Sequence, residues 1–293
     1  MNIKDRINYS AIVDRKPLIL PGDGKVIVWP VVNLEEWPPE LPLPRRVLTP
    51  PGEGGHVPDI PNWCWSEYGM RIGVWRLMEA LAEFNVTPTV SMNGTVPKAY
   101  PRVAEAALEA GWEFMGHSYI QKPMYEIEDE AEAIFKTMET MKDFCGYKPR
   151  GWMGPGLTQT ENTPELLVEA GFEYTADWIL DDQPCEVKTQ KGKLYSIPYT
   201  TELNDIPIML SQNHVSSILY DRTMDYFETL LREGEKNVRI MCIAVHPYIH
   251  GVPHRIKYFR QIFKELSDNP AVVFMTGSEI LDWYLLQHSP QEN

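Results

Sequence analysis

The chain has 293 residues, of which 43% are hydrophobic, and it carries a formal net charge of -14 with a pI of about 5.0. That is enough material for one large core, and an α/β barrel of this length folds as a single domain. The acidic balance, the lack of a basic cluster longer than Arg45-Arg46 and the shortness of every apolar run argue against nucleic acid and membrane partners and leave a small molecule as the expected ligand.

Cys64, Cys145, Cys185 and Cys242 lie far apart and form no C-x-x-C, the usage of packed, reduced thiols in a cytoplasmic protein. The N-terminal Met-Asn-Ile-Lys-Asp-Arg-Ile is charged and has no apolar core, so no signal peptide is read and a cytoplasmic location is expected. Residues 1–24 show no strong period and are expected to wrap the surface of a domain spanning 25–286. Val26 to Val32 is an apolar run that reads as the first strand, with Pro30 predicting an edge position or a bulge. It leads into Asn33-Leu34-Glu35. Residues 37–61 hold eight prolines and form a long insertion loop, which in a compact domain is usually functional. Its continuation, Trp63-Cys-Trp65, is aromatic enough to wall a pocket.

Val74, Leu77, Met78 and Leu81 have helical spacing and predict a helix over 71–84. Strand-like residues 87–91 end near Asn93. A helix through Val103, Ala107 and Ala110 stops at Gly111. The run from Trp112 to Met115 is a short strand that delivers Gly116-His117-Ser-Tyr-Ile-Gln121. Ile127 to Met141 gives a long amphipathic helix, and a strand near Lys148 leads to Arg150-Gly-Trp152. Thr163 and Pro164 open a helix that ends at Gly171. Strands follow at 172–176, ending at Asp177-Trp178, and at 194–198, ending at Tyr199. A helix face through Met224, Phe227 and Leu231 precedes the buried strand 239–245, which stops at His246-Pro247. A further helix spans Ile256 to Leu266. A last strand covers 271–275, and Thr276 with Glu279 forms a capping box for the final helix. Strand and helix alternate almost without a break, which implies parallel strands under helices and a distorted (β/α) barrel of seven or eight units.

The strand exits carry the chemistry. Asn33, Glu35, Asn93, His117, Trp152, Asp177, Tyr199 and His246 all follow strands, and in a parallel barrel those exits converge on one face. Singly, each has a plainer reading. Glu35 suits a solvated turn, Asp177 a helix cap, and His250 and His254 a solvated Gly/Pro-rich loop. Gln121 stands four residues after His117, the spacing of a metal-ligand pair on a helical turn, but with an amide in the second place.

These exits resemble the polysaccharide deacetylase (NodB-homology) superfamily. Asn33-Leu-Glu35 matches its first acidic motif, His117 to Gln121 its H-x-x-x-H, Lys148 to Pro155 its R-P-x-G-like turn, and Val245-His246-Pro247 its late L-H-P. Glu67 to Trp75, Thr175 to Asp182 and Tyr195 to Tyr199 are similar to the branch of metal-independent bacterial allantoinases and related cyclic-amide hydrolases. The resemblance runs from Val26 to the last helix and implies a hydrolase of non-peptide C–N bonds. The family's aspartate base corresponds to Asn33, its metal aspartate to Glu35 and its second metal histidine to Gln121. One carboxylate, one imidazole and one amide form a poor transition-metal site, so no cofactor is expected. The alternative is a divalent metal such as Zn²⁺ on Glu35, His117 and Gln121, serving a deacetylase of a sugar or small amide. A silent ligand-binding member of the superfamily is the non-enzyme alternative.

For ring opening of a cyclic amide or ureide, Glu35 and His117 are expected to hold and deprotonate water and His246 to protonate the leaving nitrogen or stabilise the oxyanion. Trp152 and Trp178 are expected to face the planar ring, with Asp177 beside them as a further substrate contact. Asn33, Asn93 and Gln121 are expected to pair with its N–H and C=O groups, and Arg150 to fix a carboxylate or ureido oxygen, or to orient Glu35. The tryptophan-rich N-terminal third, together with relatives of this type, implies a homo-oligomer, with a tetramer as the specific form.

Overall fold

A computed structural model describes residues 1–41, 43, 46–49 and 57–288. Much of the expected 37–61 loop therefore lies outside the described residues. Nine strands form one sheet: β1 (Val26–Leu34), β2 (Thr89–Met92), β3 (Glu113–Gly116), β4 (Gly151–Trp152), β5 (Tyr174–Thr175), β6 (Cys185–Lys188), β7 (Lys193–Ser196), β8 (Arg239–Val245) and β9 (Val272–Phe274). The order is β6-β7-β5-β4-β3-β2-β1-β8, with β9 also paired to β1. All pairings are parallel except β6 with β7. The helices are α1 (Ile3–Arg6), α2 (Ile60–Tyr68), α3 (Val74–Glu83), α4 (Val96–Ala99), α5 (Pro101–Glu109), α6 (Glu130–Cys145), α7 (Thr163–Ala170), α8 (Ile218–Gly234), α9 (Pro247–His250), α10 (Ile256–Ser267) and α11 (Gly277–His288). The sheet curls into the expected distorted (β/α) barrel.

The side-chain alternation of β1 divides the core. Ile27, Trp29 and Val31 pack inside the barrel with Met115, Tyr174, Ile197, Ile240 and Cys242. Val26, Val28, Val32 and Leu34 face the helices, against Val74, Leu77, Phe259 and Phe263. Both faces of β1 are thus covered, as a parallel sheet under helices requires.

Pro30 is not at an edge. It sits in the fully buried β1, and its missing N–H falls at a seam. On one side of β1, Val26–Val28 pair with β9 and Val31–Leu34 with β2. The Val26 N–H reaches Ala271 on that side, and Val28 and Leu34 accept there from Met275 and Asn93. Residue 30 shares their orientation, so proline stands where one neighbour has ended and the next has not begun.

Strand phase and bounds differ from expectation in two places. The strand expected near Lys148 is the two-residue β4, and the antiparallel β6 was not anticipated. The capping box forms, with the Thr276 N–H on Glu279 Oε2 at 2.8 Å and the Glu279 N–H on Thr276 Oγ1 at 3.4 Å. Through Gly277 and Ser278, the start of α11 bonds to Thr89 and Glu113 and closes the end of the barrel at which the parallel strands begin. No described helix is long and apolar enough to cross a membrane.

Candidate active site

The opposite end, where β1, β3 and β8 finish, gathers Glu35, His117 and His246. Each is carried in by a strand whose side chains alternate, and all three are almost fully buried. Glu35 Oε1 lies 3.6 Å from His117 Nε2 and 3.4 Å from His246 Nε2. It also accepts from Gln121 Nε2 at 2.9 Å, while Glu35 Oε2 accepts from the Trp37 indole N–H at 3.0 Å.

The two imidazoles are set for different work. His117 Nδ1 lies 2.7 Å from the Met153 carbonyl oxygen. That ring nitrogen must carry hydrogen, since a carbonyl only accepts, so the neutral ring keeps its lone pair on Nε2. Among the described residues, Nε2 is buried with no hydrogen-bond partner. His246 Nδ1 bonds Asp205 Oδ1 at 2.7 Å, and the His246 backbone N–H bonds Asp205 Oδ2 at 2.7 Å. Burial alone would lower the His246 pKa, but the charges of Asp205 and Glu35 outweigh it and raise it to about 9. Burial likewise works to raise Asp205, and the facing His246 and His250 hold it below the usual carboxylate range instead. His246 is therefore an imidazolium at neutral pH, with Nε2 directed at Glu35.

A chain of amides fixes the carboxylate. Asn93 Oδ1 accepts the Glu36 backbone N–H at 3.0 Å, and Asn93 Nδ2 donates to the His117 carbonyl. Two backbone groups thus fix which end of Asn93 is nitrogen. The same nitrogen donates to Gln121 Oε1 at 2.9 Å, so Gln121 must turn its NH₂ toward Glu35. Residues 117–121 form no helix; a bend with Ser118 at φ +58° brings Gln121 over. The hypothetical metal set Glu35, His117 and Gln121 consequently offers an N–H where a ligand needs a lone pair. This donor set does not fit the three lone pairs that a Zn²⁺ site takes from protein. Among the described residues, no group of three His, Cys, Asp or Glu is arranged to hold a metal ion.

Asn33 lies two residues before Glu35 on the same face of β1. Its Nδ2 contacts the Val245 carbonyl at 3.3 Å and Tyr199 Oη at 3.4 Å, leaving a buried Oδ1 with no partner among the described residues. Asp177 is one loop away. It accepts from the Gly154 N–H at 2.8 Å and Gln159 at 3.0 Å, and burial pushes its pKa up to about 7. It thereby anchors the turn whose Met153 carbonyl holds His117.

Three expected substrate contacts are elsewhere. Trp152 points outward into the core under α6 and α7, edge-on to Phe172 at 5.2 Å, because β4 turns position 153 rather than 152 inward. Trp178 packs beside Ile7 on that outer cluster and lines the cavity under the N-terminal segment. Arg150 precedes β4, at the far end of the barrel, and is engaged by Glu173 at 2.9 Å and Asp282 at 2.9 Å. His250, expected in solvent, is fully buried.

Trp37, Asp205 and His250 belong to the site and went unassigned. Trp37 adjoins a cavity of about 950 Å³ that Gln121, Leu43 and Tyr125 also line. Asp205 lies in an irregular Leu-Asn-Asp-Ile-Pro stretch with no period to mark it. His250 did carry a signal, since His246-x-x-x-His250 follows a proline that starts a helical turn.

Residues 67–175 match the sequence model of the polysaccharide deacetylase family. A Schizosaccharomyces pombe protein provisionally named a polysaccharide deacetylase is 26% identical, across 96% of this chain and 96% of its own length. A crystal structure from Pseudomonas aeruginosa, also provisionally named a polysaccharide deacetylase, superposes with a TM-score of 0.83 at 25% identity, covering 93% of this chain and 95% of that one. The crystal structure of the PuuE allantoinase gives 0.85 at 23% identity over 98% and 99%, a likeness of fold. The resemblance to the polysaccharide deacetylases is borne out, with the matched residues 67–175 taking in His117 to Gln121 and Lys148 to Pro155.

Proposed function

We propose that this relative of the polysaccharide deacetylases is a hydrolase of non-peptide carbon–nitrogen bonds that opens a small cyclic amide or ureide by acid–base activation of water. The observation that carries the reading is Glu35 Oε1 between two buried imidazoles, one offering a lone pair and the other a proton.

Water held between Glu35 Oε1 and His117 Nε2 gives a proton to Nε2 as its oxygen bonds the carbonyl carbon. The C–N bond of the tetrahedral adduct then breaks, and the leaving nitrogen takes the proton on His246 Nε2. Glu35 Oε1, within 3.6 Å of both rings, is placed to return the proton from His117 to His246. Such positioned acids and bases contribute roughly 10²–10⁴-fold each. The unpartnered Asn33 Oδ1 is an acceptor for a ring N–H. The Trp37 indole, beside the cleft, takes the place intended for Trp152 and Trp178 as the aromatic face for a planar ring. The allantoinase of the same fold supports this substrate class.

The competing reading, a metal-dependent deacetylase, is favoured by the names of the sequence relatives. It requires Gln121 to reverse its amide, which breaks the bonds to both Asn93 and Glu35. A panel of hydantoins, ureides and cyclic imides, run beside N-acetylated sugars, separates the two. Glu35→Gln is expected to lower turnover of the cyclic substrates by at least about 10²-fold with the fold unchanged. Retained activity in that variant would sink the scheme.

A further inference from the structure

We infer that His250 is a positioning residue for the acid His246, acting through Asp205. The inference rests on His246 being the acid of the proposed hydrolysis. Asp205 is fully buried, and both of its oxygens are taken. Oδ1 receives His246 Nδ1–H at 2.7 Å. Oδ2 receives the His246 backbone N–H at 2.7 Å and His250 Nδ1–H at 3.0 Å. The two rings stand four residues apart on the turn begun by Pro247, and the His250 N–H closes that turn on the His246 carbonyl at 3.0 Å. One turn of chain therefore grips both ends of one carboxylate.

Without His250 the carboxylate would be held by His246 alone, through the ring on Oδ1 and the backbone N–H on Oδ2. The bond from His250 ties it to a second residue one turn further on, so that it cannot shift with His246 without breaking that bond. His250 supplies the second side-chain anchor. Its other nitrogen, Nε2, is buried with no partner among the described residues, so the neutral ring with hydrogen on Nδ1 is the form that leaves no donor unpaired. A buried polar atom left unpaired is costly, and a leucine at this place would avoid that cost; what the imidazole supplies in exchange is the Nδ1–H bond to Asp205. Because misplacement of a reacting group by 1 Å costs on the order of 10²-fold, a shift of Asp205 on losing this bond would be felt at His246 Nε2.

The test compares His250→Leu with His250→Asn, since the asparagine amide can place a donor where Nδ1 stood and leucine cannot. On ¹⁵N-histidine-labelled protein, the low-field Nδ1–H proton of His246 reports the bond to Asp205 without any substrate. In the native protein both the His246 and His250 Nδ1–H protons are expected to be protected from exchange. In His250→Leu the His246 signal should broaden or vanish, with kcat on the best substrate of the cyclic panel falling about 10–100-fold at little change in KM. His250→Asn should restore both. An unprotected His250 Nδ1–H in the native protein, or an unchanged His246 signal in His250→Leu, would overturn the inference whatever the substrate panel shows.

Discussion

Asp205 decides the charge of His246, and through it the pH range expected of the proposed hydrolysis. Burial alone would discharge His246; Asp205 and then Glu35 keep it protonated to about pH 9. An acid that must start protonated is fully available below that value and is lost as pH rises through it. The kcat/KM profile is therefore expected to fall on an alkaline limb near pH 9. Asp205→Asn removes the largest opposing charge and leaves burial in place, so the limb should move to lower pH. A limb that stays would contradict the assignment of the acid. The folded value lies above the ordinary 6.5, so the His246 charge stabilises the fold fully below about 6.5, and that stabilisation is lost as pH rises toward 9. Glu35, His117 and His246 were legible because each follows a strand whose pattern can be read. Trp152 was placed on the wrong face because a two-residue strand has no readable phase, and a slip of one residue reverses every side chain. Asp205 was illegible because nothing local distinguishes it; it matters only through two imidazoles 41 and 45 residues further along the chain.

The element that holds His246 and His250 in place is α9. It is packed against the π-helical turn Gly69–Gly73, which runs into α3. A Cβ on Gly69 would lie 2.6 Å from the Tyr248 nitrogen, and one on Gly73 would collide with the Pro247 carbonyl oxygen. Both glycines have ordinary helical dihedrals at this turn, so it is close approach of two backbones that requires them, not conformational freedom. Trp65 and Tyr248 pack edge-on at 5.0 Å beside the same crossing. Gly73→Ala is expected to push α9 off its seat, costing about 1–3 kcal/mol of stability and lowering turnover. Thermal melts and kcat check this, and a native melting temperature with native turnover would mean that α9 is held by other contacts. The long helices and β8 were legible from their periods and caps. The β6–β7 hairpin was legible only in β7, since Cys185–Lys188 is four residues long and only Val187 in it is buried.

At the scale of the whole molecule the barrel has two polar ends with different chemistry. At one, half-buried Glu113 is bonded by Thr89, Tyr174 and Ser278, with α11 over it. At the other, Glu35 faces two histidines, and its partners Trp37 and Gln121 line a cavity. The parallel topology, legible from strand–helix alternation, puts strand exits at the second end and so predicts where chemistry resides. It does not predict which exit residues meet, because that depends on strand lengths and bends such as the one at Ser118. In the proposed hydrolysis Glu35, His117 and His246 activate water by moving protons, and Gln121 serves as a donor to Glu35 and not as a metal ligand. The most direct measurement is turnover of the cyclic-amide panel by protein purified without an affinity tag, dialysed against chelator, and assayed with its metal content determined by plasma mass spectrometry. The account predicts that turnover persists at far less than one metal per chain and is not raised by added Zn²⁺, Mn²⁺, Ni²⁺ or Co²⁺. Loss of turnover on chelation, restored in proportion to the metal taken up, would contradict it.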